Sequence, residues 1–109
     1  MGGDCNEVDI KRPKMKMPDE FDPYDLLKYV RFIDGTVKFC SVGEQHISLR
    51  GNLDESAVVS AGTIAVRLKT WRIYDHGSMT LNVSSSHDDR EVIGKLLEPY
   101  GYVYRDPRE

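Results

Sequence analysis

The alternation in TIAVRLKTWRIY, Thr63–Tyr74, constrains the fold of this chain more than any other feature. Ile64, Val66 and Leu68 fall on one side and Ala65, Arg67 and Lys69 on the other, the period-two pattern of a strand with one buried face. The apolar parity then flips, because Trp71 and Ile73 are odd-numbered. A bulge near Lys69–Thr70 restores the inward face by one extra residue. Beyond Tyr74, Asp75-His76-Gly77 suits a three-residue hairpin loop whose last position requires positive φ and carries glycine. That register pairs Tyr74 with Ser78, Ile73 with Met79 and Trp71 with Leu81, so the large apolar residues of both strands share a face; a two-residue loop would separate them. An antiparallel sheet is the frame, and His76 belongs to a hairpin tip.

A second period-two region spans TVKFCSV and QHISL, separated by Gly43-Glu44. A two-residue turn there sets Cys40 opposite Ile47, whereas the apolar pattern sets Phe39 opposite Leu49. The hydrophobic pattern governs register, so the loop is expected to be odd in length. GNLDES is a loop, and AVVSAG fits either a short strand or one helical turn.

Two segments carry helical signals. In FDPYDLLKYVRFI, Asp22 caps, Pro23 takes the first helical position, and Leu26, Leu27, Val30 and Ile33 form a stripe with Tyr29 beside it. The expectation is a helix from Pro23 to Phe32, stopped by Asp34-Gly35. SSSHDDREVIGKLLEP opens on serine caps and places Asp88, Asp89 and Glu91 in its first turn. Val92, Ile93, Leu96 and Leu97 make its apolar stripe, and Pro99 and Gly101 end it. YGYVYR then alternates tyrosines around Val103 and reads as a short last strand at a sheet edge. The expected architecture is α+β in the order α-β-β-β-β-α-β, a four- to five-stranded antiparallel sheet with an N-terminal and a C-terminal helix packed on one face.

Residues 1–19, which include the basic cluster KRPKMK among acids and prolines, read as a flexible tail, and residues 20–109 as a single globular domain. Net charge is −3, so no global field draws the protein to nucleic acid or anionic membrane. No apolar run approaches the ~20 residues that span a bilayer, and Met1–Asp9 has neither a basic nor an apolar signal region. The expected location is the cytoplasm, without membrane attachment. MGGDCN offers Gly2 and Cys5 for acylation, but Asn6 stands where that signal wants Ser or Thr. With a reducing compartment expected, a Cys5–Cys40 disulfide is not the expectation, and Cys40 reads as a small buried hydrophobe.

The chain has few residues that suggest chemistry. His87-Asp88 invites a metal, but His46 and His76 lie on other elements and no ligand set converges; no metal and no cofactor is expected. Ser84, Ser85 and Ser86 precede a helix without a nucleophile elbow, and no phosphate-binding glycine motif is present. The leading expectation is a small non-catalytic binding protein that works through a protein partner or self-association, as a homo-oligomer, in the manner of inhibitor or immunity proteins by fold-level analogy alone. Tyr100, Tyr102 and Tyr104 are its candidate contact residues, on an edge strand. The alternative is a nucleic-acid-binding module that uses the tail and a basic sheet face of Arg67, Lys69 and Arg72, with Lys38 or Arg50 from a neighbouring strand. That mode requires aromatics on the same face for base stacking. A further alternative is a small-ligand or hydrolytic site at His46, His76 or His87, provided the fold brings them to one cleft.

Overall fold

The computed structural model describes residues 15–42, 55–77 and 83–107. Through them run five strands, β1 (Tyr24–Phe32), β2 (Val37–Ser41), β3 (Val58–Arg67), β4 (Thr70–Asp75) and β5 (Val103–Tyr104), with helix α1 (Asp89–Leu97) between β4 and β5. The strand order is β2-β1-β3-β4-β5. The first three pairings are antiparallel and β4 pairs with β5 in parallel. The class is α+β, but the sheet is mixed rather than antiparallel, and the described residues hold one α-helix rather than two.

The expected N-terminal helix is β1. Its residues bond β2 on one side and β3 on the other, so it is a central strand. Such a strand is buried on both faces and loses the polar-out alternation that marks a half-exposed one. Tyr29 and Val30, adjacent in sequence and pointing to opposite faces, are both fully buried. Its apolar residues are more often aromatic or β-branched than leucine, which suits the pleat. The Asp34-Gly35 pair makes the β1–β2 turn: Gly35 has a φ of 94° and donates to the Phe32 carbonyl, while the Asp34 side chain accepts from the Thr36 N–H.

The parity flip in TIAVRLKTWRIY marks a hairpin, not a bulge at Lys69–Thr70. β3 ends at Arg67, which pairs with Thr70 across the two-residue loop Leu68-Lys69, and Val66 pairs with Trp71. Leu68 takes a φ of 58°, the positive value that tight hairpin turns require. A register shift does occur, between Thr63 and Ile64 opposite β4's end. The ambiguous AVVSAG segment is the start of β3, preceded by a short 3-10 turn, Glu55–Ala57. The hairpins expected at Gly43-Glu44 and from Ser78 onward lie outside the described residues.

α1 ends at Leu97 and passes through a 3-10 turn, Glu98–Tyr100, to Gly101 at a φ of 90°. The chain then enters β5, an edge strand as expected. Met15 and Lys16 lie against the opposite edge: Met15 bridges Cys40, and the Lys16 N–H donates to the Phe39 carbonyl. Ile93 and Leu97 of α1 pack over Leu27, Tyr29, Ile64, Val66, Trp71 and Ile73, with Tyr102 closing the end. Full burial of those two helix side chains contributes roughly 3–6 kcal/mol. A smaller cluster on the other face, Val30, Phe32, Cys40, Val58 and Ala61, is covered by Ala57 and Val83.

Candidate nucleic-acid interface

Strand register decides which side chains share the face that α1 leaves free. Cross-strand partners point the same way, so Tyr24 stands beside Arg67, and Leu26 beside Ala65 and Arg72. At the end of β4, where the register shifts, the Tyr74 ring centre lies 5.1 Å from the Arg72 guanidinium. Tyr24 is 65% exposed and Tyr74 50%. Lys28 and Lys38 extend the row of bases across β1 and β2, and the Lys38 ammonium lies 5.3 Å from the Phe32 ring centre. Along the β5 edge, the Arg105 N–H donates to the Trp71 carbonyl, and Arg105 joins Arg67 and Arg72 around a hollow of about 530 Å³. One half of the outer face is thus buried, at the Val30–Cys40 cluster. The other half is open and carries arginines interleaved with exposed tyrosines.

Lys69, expected on this face, is not part of it. From the turn its ammonium reaches the Tyr100 carbonyl at 3.1 Å and sits 4.4 Å from the Tyr102 ring centre. The C-terminal tyrosines take three different roles. Tyr102 is buried, its ring against Phe21 and its hydroxyl directed to the Pro18 carbonyl. Burial, followed by the Asp25 charge, raises the pKa of that hydroxyl. Tyr104 is half-buried, edge-on to Trp71 with ring centres 4.8 Å apart, and the Arg90 guanidinium covers it at 4.1 Å. Only Tyr100 of the three is exposed.

A polar cluster that sequence spacing did not reveal ties α1 to the sheet. Asp89 is fully buried and accepts from Tyr29 Oη at 2.6 Å, Ser60 Oγ at 2.6 Å, the Ser86 N–H at 2.9 Å and Arg31 Nη1 at 3.1 Å. Arg31 also forms a two-pronged pair with Asp88, at 2.8 and 3.2 Å. Arg31 and the Ser86 hydroxyl hold the Asp88 carboxyl well below the usual carboxylate range. Asp88 in turn raises the Arg31 guanidinium further. Burial first, and then Asp89, pushes the Tyr29 phenol far above its ordinary value. The expected serine caps are therefore reversed: the acids of the first turn reach back to Ser86, and no serine hydroxyl caps the helix. A buried carboxylate with four donors meets the requirement that an interior charge be fully hydrogen-bonded.

The fold does bring two of the three histidines together. His76 and His87, both exposed, line one cleft of about 280 Å³ floored by Ile73, and His76 Nδ1 lies 2.6 Å from Ser85 Oγ. His46 is outside the described residues. Among the described residues no group of three or more His, Cys, Asp or Glu is placed to hold a metal ion. Cys40 is buried, and no helix among the described residues is long and apolar enough to cross a membrane. No protein-family model matches the chain, and comparison with curated proteins and with solved structures finds no match.

Tyr24, Tyr74 and Arg105 escaped the sequence reading. Tyr24 falls in the segment whose spacing reads as a helix, and the face shared by β1 and β4 exists only once the strand order is known. The available signal was the alternation Trp71-Arg72-Ile73-Tyr74, which already placed Tyr74 beside Arg72.

Proposed function

We propose that this protein is a binding module for single-stranded nucleic acid and that the open half of the outer sheet face is its working surface. The observation that carries the reading is the grouping of exposed Tyr24 with its cross-strand neighbour Arg67 and of exposed Tyr74 with the Arg72 guanidinium. Flat aromatic rings accept unstacked bases of any sequence, and guanidinium groups beside them follow the phosphates. The bases are gathered locally in a chain whose net charge is −3, which favours contact through this patch over adhesion of the whole protein.

The test is a fluorescence anisotropy titration of a labelled single-stranded oligonucleotide at several salt concentrations. Non-specific modules bind with Kd on the order of 10⁻⁴–10⁻⁶ M at physiological salt. Three arginine–phosphate contacts give a slope of log Kd-derived affinity against log salt of about −2. Tyr24→Ala or Tyr74→Ala removes one stacking contact, about 1–3 kcal/mol, which is roughly a 5- to 150-fold loss. Affinity unchanged in the double variant overturns the reading. A protein partner seated on the same Tyr–Arg face, with no oligonucleotide binding, would restore the first expectation of a protein-binding module.

A further inference from the structure

The nucleic-acid reading leaves the histidine cleft unused, although the two lie on either side of the same sheet edge. β5 and the residues after it alternate across that edge: Tyr104 and Asp106 line the cleft, whereas Arg105 and Pro107 line the hollow shared with Arg67 and Arg72. A strand held on the arginine side therefore needs only to cross the edge to place a phosphate in the cleft. There it meets two imidazoles, His76 and His87, and the Arg90 guanidinium, which is positioned over the Tyr104 ring. Imidazoles are the side chains best suited to exchange protons near neutral pH. In the tautomer that donates Nδ1–H to Ser85 Oγ, His76 keeps a lone pair on Nε2, as a general base requires.

We propose that the cleft cleaves single-stranded RNA by metal-independent transesterification, an activity that rests on the nucleic-acid reading above. His76 takes the proton of a ribose 2′-hydroxyl, and that oxygen attacks the adjacent phosphorus to form a new O2′–P bond. The P–O5′ bond breaks, and protonated His87 delivers its proton to the departing 5′-oxygen. The products are a 2′,3′-cyclic phosphate and a 5′-hydroxyl, so atoms and electrons balance with no co-reactant. Arg90 compensates the charge that builds on the phosphoryl oxygens. Because the 2′-hydroxyl is the nucleophile, DNA is bound but not cut.

The experiment incubates the full chain, in EDTA, with a 5′-labelled single-stranded RNA and with DNA of the same sequence. The expected result is RNA fragments ending in 2′,3′-cyclic phosphate and intact DNA. His76→Gln and His87→Gln should each slow cleavage by about 10²- to 10⁴-fold. Both side chains are exposed, so the two variants should keep the wild-type Tm. RNA that is bound but stays intact overturns this inference and leaves the binding reading standing, as does cleavage that both variants retain. Failure to bind either strand overturns both. Undiminished RNA affinity and cleavage in Tyr24→Ala/Tyr74→Ala support the histidine cleft and overturn the sheet-face reading.

Discussion

Replacing Asp89 by alanine should cost about 3 kcal/mol of folding stability, within a range of 2–5. The carboxylate is fully buried and has four donors. Arg31 keeps Asp88 when Asp89 is lost, so its charge stays paired. Tyr29 and Ser60 do not fare as well: both are fully buried, and their hydroxyls lose the acceptor they reach at 2.6 Å. Each orphaned buried donor costs about 1–3 kcal/mol. The Ser86 N–H is only part-buried, and water replaces its partner more cheaply. Against these losses stands the several kcal/mol no longer spent on desolvating a carboxylate, which holds the net near the lower half of the sum. Domains of this kind have roughly 5–15 kcal/mol in total, so the variant should stay folded with a Tm lower by roughly 10–25 °C. Urea unfolding followed through Trp71, the single tryptophan and 1% exposed, reports the change directly. Asp89→Asn keeps the shape but turns one acceptor into a donor, and should fall between wild type and alanine. A loss below about 1 kcal/mol at unchanged m-value would refute the view that this carboxylate fastens α1 to the sheet.

Three further perturbations follow from the same geometry. Gly62→Ala places a Cβ 2.7 Å from the Asp75 carbonyl oxygen and 2.9 Å from the Tyr29 ring; because backbone must move, thermal denaturation should show a loss of about 1–3 kcal/mol. Gly94→Ala meets nothing closer than Trp71 at 3.6 Å, and the gain in helix propensity should raise stability by up to about 1 kcal/mol. Asp88 has a depressed folded-state pKa, so its contribution is present above the ordinary carboxylate pKa near ~4 and is lost as pH falls through and below it. The Tm gap between wild type and Asp88→Asn should therefore narrow from pH 7 to pH 3, and a constant gap would show that the Arg31 pair does not support the fold.

Sequence reading succeeded where one element decides its own structure. The stripe that ends at Ile93 and Leu97, the stop at Gly101 and the edge strand after it are all local signals, and the α+β class follows from them. It failed where a partner decides. Leu26, Leu27, Val30 and Ile33 fit a helical stripe as well as they fit a strand, and only pairing with β2 and β3 on both sides selects the strand. Leu68-Lys69 lacks every residue type that announces a hairpin, so the reversal of parity at Trp71 reads in the sequence as a bulge. Asp88 and Asp89 suit the dipole of any helix N-terminus, and nothing local reveals that their donors, Tyr29, Arg31 and Ser60, lie 29 to 60 residues away. The open face has the same character: Tyr24 stands beside Arg67 and Tyr74 against Arg72 on strands separated by β3, and the grouping exists only in the sheet.

The most direct test of the account is anisotropy of one labelled single-stranded oligonucleotide titrated with wild-type protein and with Tyr24→Ala/Tyr74→Ala. Saturable binding that weakens with salt and falls at least tenfold in the double variant is the predicted result. Equal affinity for the two proteins, or no binding by the wild type at low salt, would contradict it.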